Sequence, residues 1–198
     1  MFVDYQFVNS DMLPSMGSKL YQYLVAANGI FVRAWRPGMD ALIPVSGLAQ
    51  PVRGLRPLKP FLRIEKMVPA LMVARMFEKA YRAGRKEILF YLSRSDIWKL
   101  QVPDQNQSGA AVSPVDPFSG GDVILEVHSH HYMRTFFSKT DDHEEQVGFR
   151  LYSVIGDFGR QPSILTRVGI YGNFYNIPSR WVYEFPRGLV DGLEKDHA

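Results

Sequence analysis

The stretch Val123-Ile-Leu-Glu126-Val-His128-Ser-His130 constrains this chain more than any other. An apolar run that leads straight into His-x-His reads as a strand. On a strand, residues two apart share a face, so His128 and His130 point the same way, with Glu126 beside them. Two imidazoles on one face are a ready pair of metal ligands. Asp141 supplies a third if the chain turns back after the strand. Three nitrogen and oxygen ligands leave a fourth position for water, the pattern of a catalytic zinc site and not of a closed structural one. Ser138, three residues before Asp141, is close enough to face whatever such a metal binds. Two plainer readings stand beside this one. Ser138 to Asp141 and Asp141 to Glu144 are also capping-box spacings, which mark an ordinary helix start. The histidines would then be polar residues on a solvated strand face.

The chain contains no cysteine. That removes disulfides, thiolate zinc ribbons, cysteine nucleophiles and the cysteine-dependent deaminase signature together. Any metal must be held by His, Asp and Glu. Apolar residues make up 46% and charged residues 22% of the 198, the balance of a globular protein. This length suits one large domain, or one domain with a small appendage. No basic region followed by an apolar core opens the chain, and no run of eighteen apolar residues occurs in it. The expectation is a soluble, cytoplasmic protein without a membrane partner. Net charge is +3, with basic clusters at Arg53, Arg56, Lys59, Arg63 and Lys66 and at Arg82, Arg85 and Lys86. Nucleic acid is a disfavoured partner, because no stacking platform or groove-reading motif accompanies these clusters.

Residues 1–66 read as a β-rich N-terminal region. Strands are expected at 2–8, 30–35 and 41–45, with turns at Asn28-Gly29 and Pro37-Gly38. Residues 19–27 have helical spacing, with Leu20, Leu24 and Val25 on one face and Ser18 as N-cap. Six prolines in this region argue against long helices. It is a substrate- or partner-binding appendage, or else a packing extension that covers a sheet edge. Residues 67–83 form the clearest helix, with a row Val68, Met72, Met76, Ala80 flanked by Leu71, Phe77 and Tyr81. Pro69 fits its first turn and Gly84 its C′ position.

Strands are expected at 87–92 and 96–102. Residues 103–121 form a long polar connection that enters the metal strand directly, so it is expected to border a substrate groove. A helix then runs from 141 to about 150. Strands at 151–155, 163–171 and 181–185 follow, with a turn at Asp157-Phe-Gly and a frayed tail at 186–198. His143-Glu144-Glu145 begins like a zincin motif, but position 147 is Val and the match fails. Alternating strands and helices over 67–185 predict an α/β (α+β) domain, a mixed sheet sandwiched by helices.

His128-Ser-His130, seven residues, then Ser138-x-x-Asp141 resembles the JAMM motif of the JAB/MPN metallopeptidases. The wording from His128 to Asp142 is similar to the prokaryotic JAB branch, and within it to the A-protein family of PRTRC systems, a plasmid- and mobile-element-associated gene cluster. The broad resemblance covers about residues 65–185. It implies a JAB/MPN-like fold and a zinc isopeptidase or peptidase, with Zn2+ on His128, His130 and Asp141. Its substrates are often ubiquitin-like proteins, and related gene clusters can carry E1-like activating enzymes and small ubiquitin-like proteins. The family places its acid/base Glu at the head of the strand after the helix, where this chain has Glu87. The small residue or Gly usual a few positions later is absent: Ile88, Leu89, Phe90 and Tyr91 follow. Ser138 takes the role of oxyanion donor, and Glu126 a supporting role behind the ligands. Most relatives have Pro after the second His, whereas His131 stands here and brings a third imidazole near the metal. An inactive protein-binding module of the same fold is the alternative.

Overall fold

The structure is a computed structural model and describes residues 2–108, 111–116 and 122–195. It is a mixed α+β protein, rich in strands and with few helices. Contacts divide it into two compact units. The first comprises Met1–Glu65, Glu145–Phe149 and Val168–Tyr175. The second comprises Lys66–Glu144, Arg150–Arg167 and Asn176–Ala198. Two segments from the second half of the chain thus group with the N-terminal region. Among the described residues, no helix is long and apolar enough to cross a membrane.

The first unit is built on a five-stranded sheet in sequence order, β1 (Val3–Phe7), β2 (Tyr21–Ala26), β3 (Gly29–Arg36), β4 (Met39–Gly47) and β5 (Phe61–Ile64). β1 and β2 run parallel, and the rest are antiparallel. The helix expected over 19–27 is instead the strand β2. Its burial alternates strictly, with Gln22, Leu24 and Ala26 buried and Tyr21, Tyr23 and Val25 half-buried. Leu20, Leu24 and Val25 fit a helical face on paper. The two-residue turn between Ala26 and Gly29 instead pairs the segment with β3 and imposes a period of two. Leu24, Ala26, Phe31 and Leu42 pack with Val8 into the core of this unit.

The second unit opens with α1 (Ala70–Arg82). Its buried stripe is Val73, Met76 and Ala80, with Met72 half-buried. Leu71 and Tyr81 are exposed, so the stripe is rotated slightly from the expected row. Gly84, at φ 70°, stands at the C′ position in the left-handed conformation that favours glycine. Strands β6 (Leu89–Arg94), β7 (Trp98–Gln101), the short pair β8 (Gln105–Gln107) and β9 (Val112–Pro114), and β10 (Val123–Ser129) follow. Then come α2 (Lys139–Glu144), β11 (Phe149–Gly156), β12 (Ser163–Ile170), β13 (Asn173–Ile177), β14 (Val190–Asp191) and α3 (Gly192–Lys195).

The main sheet has the order β13-β12-β11-β10-β6-β7, with β14 on β12. β10 is antiparallel to β6 and parallel to β11. A parallel pair needs a crossover, and here it is the loop and helix that carry Ser138 and Asp141. β11 and β12 are buried almost without interruption, as strands covered on both faces are.

Three further expectations are corrected. Residues 181–185 are no strand: a 3-10 turn occupies Ser179–Trp181, and a single bridge joins Val68 to Tyr183. Pairing stops there because Ala70, the next donor in register, opens α1 and gives its N–H to the Glu184 side chain at 3.3 Å. The helix after the site ends at Glu144, before Gly148 at φ 91° and the start of β11. The tail is docked, not frayed, as far as Lys195. Val190 and Asp191 pair with Ser163 and Ile164, and Gly192 lies where a Cβ would meet the Thr135 hydroxyl at 2.8 Å. Residues 196–198 lie outside the described ones, as do 109–110 and 117–121 of the polar connection. The described part of that connection holds the β8–β9 hairpin.

A chain of buried hydroxyls stitches β11, β12 and the 3-10 turn together. Tyr183 Oη donates to Ser153 Oγ at 2.8 Å, and Ser153 lies 2.9 Å from Thr166 Oγ1. Thr166 donates to Ser179 Oγ at 2.9 Å, and Ser179 donates to the Ile164 carbonyl at 2.9 Å. A carbonyl can only accept, so the proton order is fixed along the whole line. Tyr183→Phe removes the first donor and should cost about 1–2 kcal/mol, or roughly 2–8 °C in melting midpoint. Thr166→Val interrupts the line in the middle and should cost more. A thermal melt in which Thr166→Val is as stable as Tyr183→Phe would contradict this account.

Candidate metal centre

The C-terminal end of β10 carries His128 and Ser129, and His130 follows directly; all three are buried. His130 sits just past the strand, with its N–H donated to the Ile155 carbonyl at 2.8 Å, so the parallel register with β11 extends to it. The alternation expected from sequence is realised. His128 and His130 share a face, and their Nε2 atoms lie 3.2 Å apart. His130 Nδ1 lies 3.4 Å from the Arg134 carbonyl. That carbonyl can only accept, so Nδ1 holds the proton and Nε2 presents its lone pair to the site.

Asp141 completes the group. Its Oδ1 is 3.6 Å from His128 Nε2. One ligand atom each from His128, His130 and Asp141 lies within 4.8 Å of the others. The capping box of the plainer reading is also present. Ser138 N–H donates to Asp141 Oδ2 at 2.5 Å, and Asp141 N–H donates to Ser138 Oγ at 3.2 Å. The two readings are therefore compatible: one carboxylate oxygen caps α2 while the other faces the histidines. Arg167 of β12 anchors the same crossover. Its buried guanidinium pairs with Asp142 at 2.5 Å and lies 3.9 Å over the Phe137 ring. Phe136 packs 4.7 Å from the His130 ring and is half exposed.

The carboxylates behave differently from one another. Glu87 is only 3% exposed, immediately before β6, and its Oε1 is 4.0 Å from His130 Nε2. It is no surface partner of Arg85. Glu126 lies farther back on β10, with its Oε2 3.4 Å from Arg150. His131 is buried at φ 49° and turns away from the metal group. Its Nε2 meets the Lys86 carbonyl, and its Nδ1 has no partner among the described residues.

Sequence reasoning missed Arg167 and Arg150. A signal was present for the first: Arg167 interrupts the otherwise uncharged run 163–170, and a charge buried in a strand needs a partner.

Burial lowers the proton affinity of both site histidines, against the pull of Asp141. They stand as neutral imidazoles, the form that ligates a metal. Burial, and then the Asp141 charge, push Glu87 up to about 7. Glu126 is raised to about 6 by burial, with Arg150 opposing. Two neutral, buried nitrogens and one half-buried carboxylate converge and fit a divalent cation. The donor set does not by itself name the metal. No protein-family model and no curated protein matches the chain.

Elemental analysis of untagged protein should find about one divalent metal per chain, and His130→Ala should abolish it. Undiminished metal in that variant would remove His130 from the ligand set.

A pH dependence follows for the metal-free protein. Raised from 4.5 to about 7, Glu87 retains in the folded state a proton that the unfolded chain has released. The stability this confers is present at low pH and is lost as pH rises through 7. The depressed histidines act oppositely, losing stability as pH falls. In chelator-treated protein, the melting midpoint of Glu87→Gln relative to the parent should rise by a few degrees between pH 5 and pH 8. A difference that stays constant with pH would place the Glu87 carboxyl in a solvated setting.

Proposed function

We propose that this protein is a zinc-dependent isopeptidase or peptidase of the JAB/MPN type, belonging to a plasmid- or mobile-element-associated system. The observation that carries the reading is the convergence of His128, His130 and Asp141 with a buried Glu87 carboxyl 4.0 Å from His130 Nε2. The mixed, parallel and antiparallel sheet with a helix ahead of it accords with a JAB/MPN-like fold.

His128, His130 and Asp141 would hold the zinc, which supplies a Lewis acid that acidifies water and polarises a scissile carbonyl. Glu87 takes the proton of the attacking water and returns it to the leaving amine. Its raised proton affinity suits both tasks near neutral pH. Ser138 accepts the Asp141 N–H, which leaves its own hydroxyl hydrogen to donate to the developing oxyanion. Asp141 is kept in place from two sides, by Ser138 on its own carboxylate and by Arg167 on the neighbouring Asp142. Glu126 and Arg150 lie behind the ligands as a paired support.

The segment between His130 and Ser138 exposes Tyr132, Met133 and Phe136. This apolar surface beside the site suits an extended protein tail more than a small polar metabolite. The substrate class proposed is the C-terminal tail of a ubiquitin-like protein, joined by an amide bond to a partner or to a further peptide. An E1-like enzyme and a ubiquitin-like protein of the same gene cluster are the partners this reading implies.

Cleavage of a ubiquitin-like fusion by zinc-loaded protein tests the proposal. Glu87→Gln should retain zinc and lose about 10²–10⁴-fold in turnover. Ser138→Ala should lose about 10²–10³-fold. A Glu126→Gln variant that keeps zinc but is inactive, beside an active Glu87→Gln, would transfer the acid/base role to Glu126. Zinc retention without any cleavage by the parent protein would favour the inactive binding module.

A further inference from the structure

Glu87 presents a problem of placement. Its carboxyl is buried beside His130, yet among the described residues no hydrogen bond reaches either of its oxygens. Its position must be set by its backbone. That backbone lies ahead of β6, whose ladder with β10 begins at the Leu89–His128 pair. The segment Lys86 to Leu89 is instead held group by group from two directions.

From the metal strand, Ser129 takes the Ile88 N–H on its Oγ at 3.1 Å and returns its own N–H to the Ile88 carbonyl at 3.1 Å. His131 donates its Nε2–H to the Lys86 carbonyl. From the β8–β9 hairpin, the Ser108 carbonyl takes the Glu87 N–H at 2.9 Å. The Gln105 side-chain carbonyl takes the Leu89 N–H at 2.7 Å. Leu89 is buried, so without Gln105 its N–H would lack an acceptor and the segment would shift to find one.

We infer that Gln105 and His131 are positioning residues that clamp the Lys86–Leu89 segment from opposite sides and so set where the Glu87 carboxyl stands against the metal group. The two clamps differ in kind. His131 is adjacent in sequence to His130, so its grip ties Glu87 directly to the ligand strand. Gln105 belongs to the polar connection expected to border the substrate groove, so its grip ties Glu87 to that hairpin. The hairpin is thus part of the site's alignment and not only its border. Neither residue touches the metal group, so metal binding should be indifferent to both.

The catalytic consequence rests on the hydrolase reading, but the clamp itself does not. Gln105→Met and His131→Phe remove one hydrogen bond each at near-constant volume, and His131→Gln restores a donor. Zinc content and KM should stay at the parent values. Turnover should fall about 10–100-fold, the scale set by a displacement of about 1 Å, with partial recovery in His131→Gln. In a Glu87→Gln background, Gln105→Met should cause no further loss, because it acts through Glu87. An equal loss in that background would overturn the assignment. Hydrogen–deuterium exchange provides the second readout: the Glu87–Leu89 amides should exchange faster in Gln105→Met and His131→Phe. Unchanged exchange in both variants overturns the clamp whatever the activity. Faster exchange in the two variants, beside a parent protein that cleaves nothing, would keep the clamp and defeat the hydrolase reading instead.

Discussion

Two imidazole nitrogens 3.2 Å apart in a buried pocket cannot both carry protons toward each other. Everything around the site follows from that constraint. Desolvation keeps both rings neutral, and the Arg134 carbonyl directs the proton of His130 away from the shared space. A lone pair and a carboxylate oxygen are then aimed into one small volume. Such an arrangement is unfavourable without a cation and favourable with one. A negative group added nearby, Glu87, is forced toward its protonated form by the same desolvation and by Asp141.

The fold supplies these pieces economically. The crossover between parallel β10 and β11 has to exist for topological reasons, and it carries Ser138, Asp141 and Asp142 at the start of a single short helix. The Ser138–Asp141 capping box opens that helix and fixes the carboxylate in one step. Within His128-Ser-His-His131, the alternation of the chain divides the labour. The first and third residues face the metal group, while the second and fourth hold the segment that bears Glu87.

The site was legible in the sequence because its spacings are local. Strand alternation over 126–130 and the three-residue step from Ser138 to Asp141 do not depend on distant packing. Glu87 was reachable only through resemblance, because no local rule brings it across from β6 to His130. The errors lie where tertiary pairing overrides local pattern. Residues 21–26 satisfy a helical face, but the hairpin with β3 decides for a strand. Residues 181–185 look like a strand, but the start of α1 at Ala70 leaves them one bridge to make. The last turns looked frayed because Val190, Asp191 and Gly192 are too few to give a period, yet Ser163 and Ile164 at the start of β12 pair with the first two of them. β5 and β13 were likewise invisible, being short and only partly buried.

Membership of the two compact units alternates along the chain. Glu145–Phe149 and Val168–Tyr175 group with Met1–Glu65, although the residues on either side of each segment group with the site. No single cut therefore separates one unit from the other. Deleting the first 65 residues would orphan two internal segments, one of them the first residue of β11 and what leads into it, the other the end of β12 and the start of β13. Proteolysis between the units would need several nicks to release either one. A chain without the N-terminal region would have to rebuild those strand ends as well, so the boundary between the units is written into the interior of the sequence and not only at residue 65.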